Sequence, residues 1–210
     1  TSLTPAGSTV TGIENVAVTS NAGVAANTTT FTGLESLTVA STGTSSVTAS
    51  ATTDVVASMT TGSMTANGGK NVTLTTTEAL DIDAANTSSA NAVGGTTAAA
   101  GAVSVTHTET FTDGGAGGAD TGAGSTIAVT GGTSVEINSL ATLGKKAGAH
   151  ADTATIGAIS VAGNANTNSV TVVQTAASDT ADVAGNTIDL ANGAVTVTDL
   201  NTATKADTIT

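Results

Sequence analysis

Few residues in this chain have side chains able to do chemistry. Histidine occurs twice, as His107 and His150, and cysteine and arginine are absent. A serine or cysteine nucleophile needs a base that is itself held by a third group. His107 lies in Val105-Thr106-His107-Thr108-Glu109, whose alternation reads as a strand with the imidazole turned to solvent. His150 lies in a Gly/Ala stretch. Neither has a local Ser/Asp constellation, and no GxSxG elbow, HExxH helix or phosphate loop occurs. The sequence therefore points away from an enzyme.

Carboxylates offer more. The candidate cation ligands are Asp81 with Asp83 (flanked by Glu78), Asp113 with Asp120, and Asp179 with Asp182. Ca²⁺ asks for about six to eight oxygens, several of them carboxylate. On a strand Asp81 and Asp83 share a face and could supply half of such a site. The plainer reading of each pair is solvated surface charge.

Net charge is −12, and the only lysines are Lys70, Lys145, Lys146 and Lys205. Neutralising phosphates takes clustered Lys and Arg, which excludes nucleic acid and anionic lipid as expected partners. No apolar run of about 18 residues occurs, so no transmembrane helix is expected. Without cysteine there are no disulfides and no thiolate metal sites.

The elements that must position these residues follow from composition. Apolar residues make up 39% of the chain and mean hydropathy is positive, which favours order over disorder. Val and Thr suit a pleated, half-buried surface. Aromatic residues are only 1%. A sandwich core about 10 Å thick usually needs large side chains, whereas thin stacked layers do not. The expected fold is all-β, a parallel β-helix or solenoid-like stack of strands, with β-sandwich domains as the alternative. Strands are predicted near 9–18, 30–39, 64–75, 103–110, 126–138, 155–173 and 187–198.

Two repeats support stacking. Thr9-Val10-Thr11-Gly12-Ile13-Glu14-Asn15-Val16-Ala17-Val18 returns 21 residues later as Thr30-Phe31-Thr32-Gly33-Leu34-Glu35-Ser36-Leu37-Thr38-Val39. Gly12 and Gly33 mark the turn into a strand, and Glu14 and Glu35 fall at matching places, where a bound cation or, as the plainer reading, exposure to water would relieve their repulsion. A second unit, strand, Gly/Asn turn, strand, begins at Met64, Ile127, Ile159 and Ile188. It reads as hairpin-like or as a tight solenoid corner. Softer segments lie at 84–101, 113–124 and 140–154, the last with a weak helical tendency. The Gly-rich stretch 113–124 divides β-repeat region 1–112 from region 125–210. The pairs Thr9/Thr11, Thr73/Thr75 and Thr196/Thr198 raise a remote alternative, an ice-binding solenoid. Their irregular offsets favour ordinary outward threonines.

The motifs Gly12-Ile13-Glu14-Asn15-Val16-Ala17-Val18 and Gly33-Leu34-Glu35-Ser36-Leu37-Thr38-Val39 and the Ile-x-Val-x-Gly-Gly-x-Ser-Val units resemble the repeat regions of bacterial surface-layer proteins. Related type I-secreted proteins share the likeness, which covers most of the chain. It implies a secreted, extracellular protein at the bacterial cell surface that self-assembles into a lattice or filament, often with calcium. Cell-surface polysaccharide is an implied partner through regions outside this chain. An adhesin stalk or passenger is the alternative. Gly114-Gly115-Ala116-Gly117-Gly118-Ala119-Asp120 approaches the G-G-x-G-x-D repeat, but its aspartate comes one residue late and it occurs once. A calcium β-roll is therefore not expected. The missing initiator Met and a strand-like Ala206–Thr210 predict a piece of a longer protein. Low charge and a single proline leave strand edges open, with Thr208-Ile209-Thr210 and the region near Val10 as natural contacts between copies.

Overall fold

The computed structural model describes residues 1–5, 7–82, 88–113, 119–144, 151–177, 187–198 and 206–210. Every helix or strand among them is a strand. In chain order the first nine are β1 (Ser2–Leu3), β2 (Val10–Thr11), β3 (Asn15–Ser20), β4 (Ala25–Asn27), β5 (Phe31–Thr32), β6 (Ser36–Ser41), β7 (Ser45–Ala49), β8 (Asp54–Met59) and β9 (Met64–Gly68). The middle group is β10 (Val72–Asp81), β11 (Ala90–Val93), β12 (Val103–Thr112), β13 (Thr121–Ala123), β14 (Thr126–Thr130) and β15 (Ser134–Leu143). Last come β16 (Ala151–Thr155), β17 (Ile159–Ala162), β18 (Ser169–Ala176), β19 (Thr187–Ala191), β20 (Val195–Thr198) and β21 (Ala206–Ile209).

All the paired strands run parallel, which rules out the antiparallel sandwich. Sheet I runs β3-β6-β8-β10-β12-β15-β18-β21, and sheet II runs β1-β4-β7-β9-β11-β14-β17-β20. Sheet III, β13-β16-β19, joins from the fifth coil onward, and β2 pairs β5 near the start. The chain alternates between sheets I and II, and each circuit stacks on the one before. The fold is thus a parallel β-solenoid.

Register gives the size of each circuit. Val16, Leu37, Val55, Val72, Val103, Val135 and Val170 are successive partners on sheet I. The first three steps are 21, 18 and 17 residues, and the next three are 31, 32 and 35. The solenoid is narrow at first and widens at the step from Val72 to Val103, ahead of β13, the first strand of sheet III. The 21-residue repeat is the first of these steps. Gly12 and Gly33 adopt φ of 76° and 83°, a conformation that favours glycine, with open space around both.

The core is made by strict alternation. β10 buries Val72, Leu74, Thr76, Glu78 and Leu80 and turns Thr73, Thr75 and Thr77 outward. The main core, between sheets I and II, is Val, Leu, Ile, Ala and Met from both. A second, smaller core of Leu80, Ile82, Phe111, Ala141, Ala154, Ile156 and Ile188 fills the space under sheet III.

Some expectations need correcting. The units at Ile127 and Ile159 are in register on sheet II, but Ile188 lies on sheet III opposite Asp152, and the true partner of Ile159 is Val195. The Gly/Asn turns of these units are solenoid corners, because the strands they join pair with neighbouring coils rather than with each other. Residues 140–143 complete β15 and 151–155 form β16, so the weak helical tendency of that segment is overruled by pairing to β12, β18, β13 and β19. β11 and β13 likewise arise within segments read as soft. Short Ala- and Gly-containing strands carry little intrinsic preference and are ordered by the coils on either side.

Candidate functional site

Contrary to the expectation from its flanking threonines, His107 points into the solenoid and is 0% exposed. It stands in phase with Val103, Val105 and Phe111, and the phase of a strand decides which face a residue takes. Glu109 on β12 and Glu78 on β10 are in phase with their own strands' apolar residues too, and are 0% and 4% exposed.

Stacking then lines up polar side chains between the two cores. Thr76, His107, Ser139 and Gln174 are successive register partners on sheet I, and so are Glu78, Glu109, Ala141 and Ala176. On each long strand the residues before this seam belong to the main core, and those after it to the second. The seam is closed opposite by the corner between sheets III and II, at Gly124, Ser125 and Gly157.

Hydrogen bonds link Thr76, His107, Glu109, Ser125, Glu78 and Ser89 into one network, with Gln174 bonded separately beside it. Thr76 Oγ1 lies 2.7 Å from His107 Nδ1, and His107 Nε2 lies 3.4 Å from Glu109 Oε2. The main-chain N–H of Ser125 donates to Glu109 Oε2 at 3.0 Å, and its hydroxyl donates to Glu78 Oε2. That hydroxyl in turn accepts the N–H of Ser89 at 2.9 Å. Gln174 Nε2 donates to the carbonyl of Gly157 at 3.1 Å. With the imidazole proton on Nε2, the Thr76 hydroxyl can donate to Nδ1 and each of these polar hydrogens finds an acceptor. Two carboxylate oxygens, Glu78 Oε1 and Glu109 Oε1, have no hydrogen-bond partner.

Hydroxyl, imidazole and carboxylate in sequence have the order of a nucleophile relay. Here Thr76, His107 and Glu109 are all enclosed, so no substrate reaches the hydroxyl in this conformation. What the geometry does provide is a carboxylate-rich interior whose polar groups hold three sheets in one register. Replacing Ser125 with Ala removes the acceptor for Ser89 N–H and the donor to Glu78. The expected loss is about 1–3 kcal/mol, read as a lower urea midpoint with unchanged slope.

Of the cation candidates from the sequence, Asp81, Asp113 and Asp120 are among the described residues. Asp81 is exposed at the end of β10, and its companion Asp83 lies outside the described residues. Asp113 is buried and Asp120 half-buried; the main-chain N–H of Asp120 donates to Asp152 Oδ1 at 2.9 Å. Asp152, buried on β16, was not visible as a candidate in the sequence. Asp179, Asp182 and His150 lie outside the described residues. Among the described residues no three His, Asp or Glu side chains gather as a metal-binding group. Glu14 and Glu35 are exposed on adjacent coils, as expected.

No family model, curated protein or solved structure matches the chain. Among the described residues no helix is long and apolar enough to cross a membrane.

Proposed function

We propose that the chain is a structural segment of an extracellular assembly at a bacterial surface, and that its work is self-association. The observation that carries this reading is the outward face of sheet II. Along all eight strands it presents only Ser, Ala, Thr and Asn, from Ser2 and Ala25 to Thr196 and Thr198. A chain of net charge −12 repels its copies wherever carboxylates meet. This face is free of that repulsion, and it repeats at about 4.8 Å from coil to coil, so weak contacts can add. Surface-layer lattices and filaments are the assemblies such a segment would serve, with secretion and calcium as part of the same reading.

The adhesin stalk or passenger remains the alternative, and microscopy separates the two. Purified chain is expected to form sheets, tubes or fibres in negative stain at physiological salt, where the Debye length is about 8 Å. Ca²⁺ should promote this more than Na⁺ at equal ionic strength. The double substitution Ala128→Asp and Ser160→Asp places charge on two adjacent, exposed positions of the sheet II face. It should leave the circular dichroism spectrum intact and abolish assembly. A wild-type chain that stays monomeric throughout would favour the stalk. The threonine pairs raised for ice binding lie on different sheets: Thr11 on β2, Thr73 and Thr75 on β10, Thr196 and Thr198 on β20.

A further inference from the structure

We infer that Asn192 is a site of spontaneous covalent modification, where the side-chain amide is converted through a succinimide to aspartate and isoaspartate. Asparagine is a thermally labile side chain. The reaction needs the main-chain nitrogen of the next residue to reach the asparagine Cγ. Glycine, with no Cβ, shields that nitrogen least. Asn-Gly occurs twice in the chain, as Asn67-Gly68 and Asn192-Gly193. The fold holds one of them and leaves the other free.

At the first pair both reacting groups are engaged. Asn67 is half-buried near the end of β9, and Gly68 is buried. Asn67 Oδ1 accepts the N–H of Thr96 at 2.8 Å, and the Gly68 N–H donates to the Thr97 carbonyl at 2.7 Å. That nitrogen must give up a buried hydrogen bond before it can attack. At the second pair Asn192 is exposed, in the turn between β19 and β20. Among the described residues neither its side chain nor the Gly193 N–H makes a hydrogen bond.

The chemistry needs only water. The Gly193 nitrogen attacks Asn192 Cγ, a C–N bond forms, and the Cγ–Nδ2 bond breaks. The proton of the Gly193 nitrogen leaves with the amide group as ammonia. Water then opens the ring. Opening at the side-chain carbonyl gives aspartate, and opening at the main-chain carbonyl gives isoaspartate. Nothing is oxidised or reduced, and either product carries one new carboxylate.

The two products differ in what they do to the fold. Isoaspartate routes the main chain through Cβ and Cγ, which lengthens it by one methylene. This corner has no room for that: a Cβ at Gly193 would lie 2.1 Å from the Ile156 carbonyl oxygen and 2.7 Å from that of Gly157. The added length must shift β19 against β16 or β20 against β17, their register partners. β19 carries Ile188 of the second core, and β20 sets Val195 and Val197 against the main core. Isoaspartate at one exposed residue therefore loosens the hold of the last coil on both cores. Aspartate keeps the main chain and leaves that hold intact.

The test is to incubate the folded full chain in mildly alkaline buffer and follow the amide-to-acid mass shift by peptide mapping. Trypsin, cutting after Lys70, Lys145, Lys146 and Lys205, places the two pairs on separate peptides, 1–70 and 147–205. Asn192 is expected to convert several-fold faster than Asn67. In denaturant, where both N–H groups are free, the two rates should converge. Asn192→Gln, whose longer side chain cannot close the same ring, should remove the fast shift from 147–205. In the isoaspartate fraction, identified by electron-transfer fragmentation, hydrogen exchange should quicken in β19 and β20 while β6 and β8 keep their protection. Equal rates at the two sites in the folded chain, faster conversion at Asn67, or a fast shift that survives Asn192→Gln would overturn the assignment. An isoaspartate fraction with unchanged protection would overturn the loosening. None of these readouts involves assembly, so the self-association reading stands or falls separately.

Discussion

Replacing Phe111 with alanine is expected to cost about 3–5 kcal/mol and to loosen sheet III before the rest of the solenoid. Phe111 is fully buried and is one of two aromatic residues in the chain; the other, Phe31, is only half-buried. The second core around it has few members, three of them no larger than alanine's neighbours in size: Ala141, Ala154 and the half-buried Ala176. Small residues cannot reach across to refill the space of a lost ring, so the cavity persists and its cost is near the top of the range. In a stacked fold each coil leans mainly on the next, so damage stays local. Hydrogen exchange should show β13, β16 and β19 losing protection while β6 and β8, which pack in the main core, keep theirs. Uniform loss along the whole stack, or a penalty below about 1 kcal/mol, would show that the two cores are not separable units.

Gly157→Ala is the second large effect, and its cause is backbone crowding. A Cβ at Gly157 would stand 1.8 Å from the carbonyl oxygen of Ser125, 2.2 Å from its carbon and 2.9 Å from its nitrogen. Main chain cannot swing aside as a side-chain tip can, so two coils must part. Gly193 meets Ile156 in the same way, at 2.1 Å from its carbonyl oxygen, so close approach recurs at this corner. The expected loss is more than about 3 kcal/mol, with the seam disrupted because Ser125 sits in it. Gly12→Ala is the control. Gly12 has positive φ but nothing within 4 Å of a Cβ, so it should lose only about 1 kcal/mol. Paired denaturant melts decide the matter, and equal losses would refute the crowding argument.

How much of this was legible beforehand differs by feature. The strand content was legible because apolar residues alternate with polar ones in β10, β12 and β15, and alternation is local to a strand. The first coil length was legible because Gly12 and Gly33 head matching segments. The seam was legible in principle: Glu78, His107 and Glu109 keep step with Val, Leu and Phe on their strands. Threonine on both sides of His107 obscured it, since threonine suits either face. The short strands β4, β7, β11 and β13 were not legible, because three to five small residues carry almost no preference of their own.

By itself, then, the sequence determined that this chain is all-β with an aliphatic core, and it favoured stacked coils while leaving a sandwich open; the parallel pairing of the strands decided between them. Only the tertiary structure decided which coil pairs with which, where the circuit widens from 17 to 31 residues, and that two glutamates, a histidine and a serine from segments up to 47 residues apart share one interior. The physical reason is range. Whether a residue faces in or out is set by its neighbours two places along the strand. Register between coils depends on both partners at once, across loops whose lengths vary with little energetic cost.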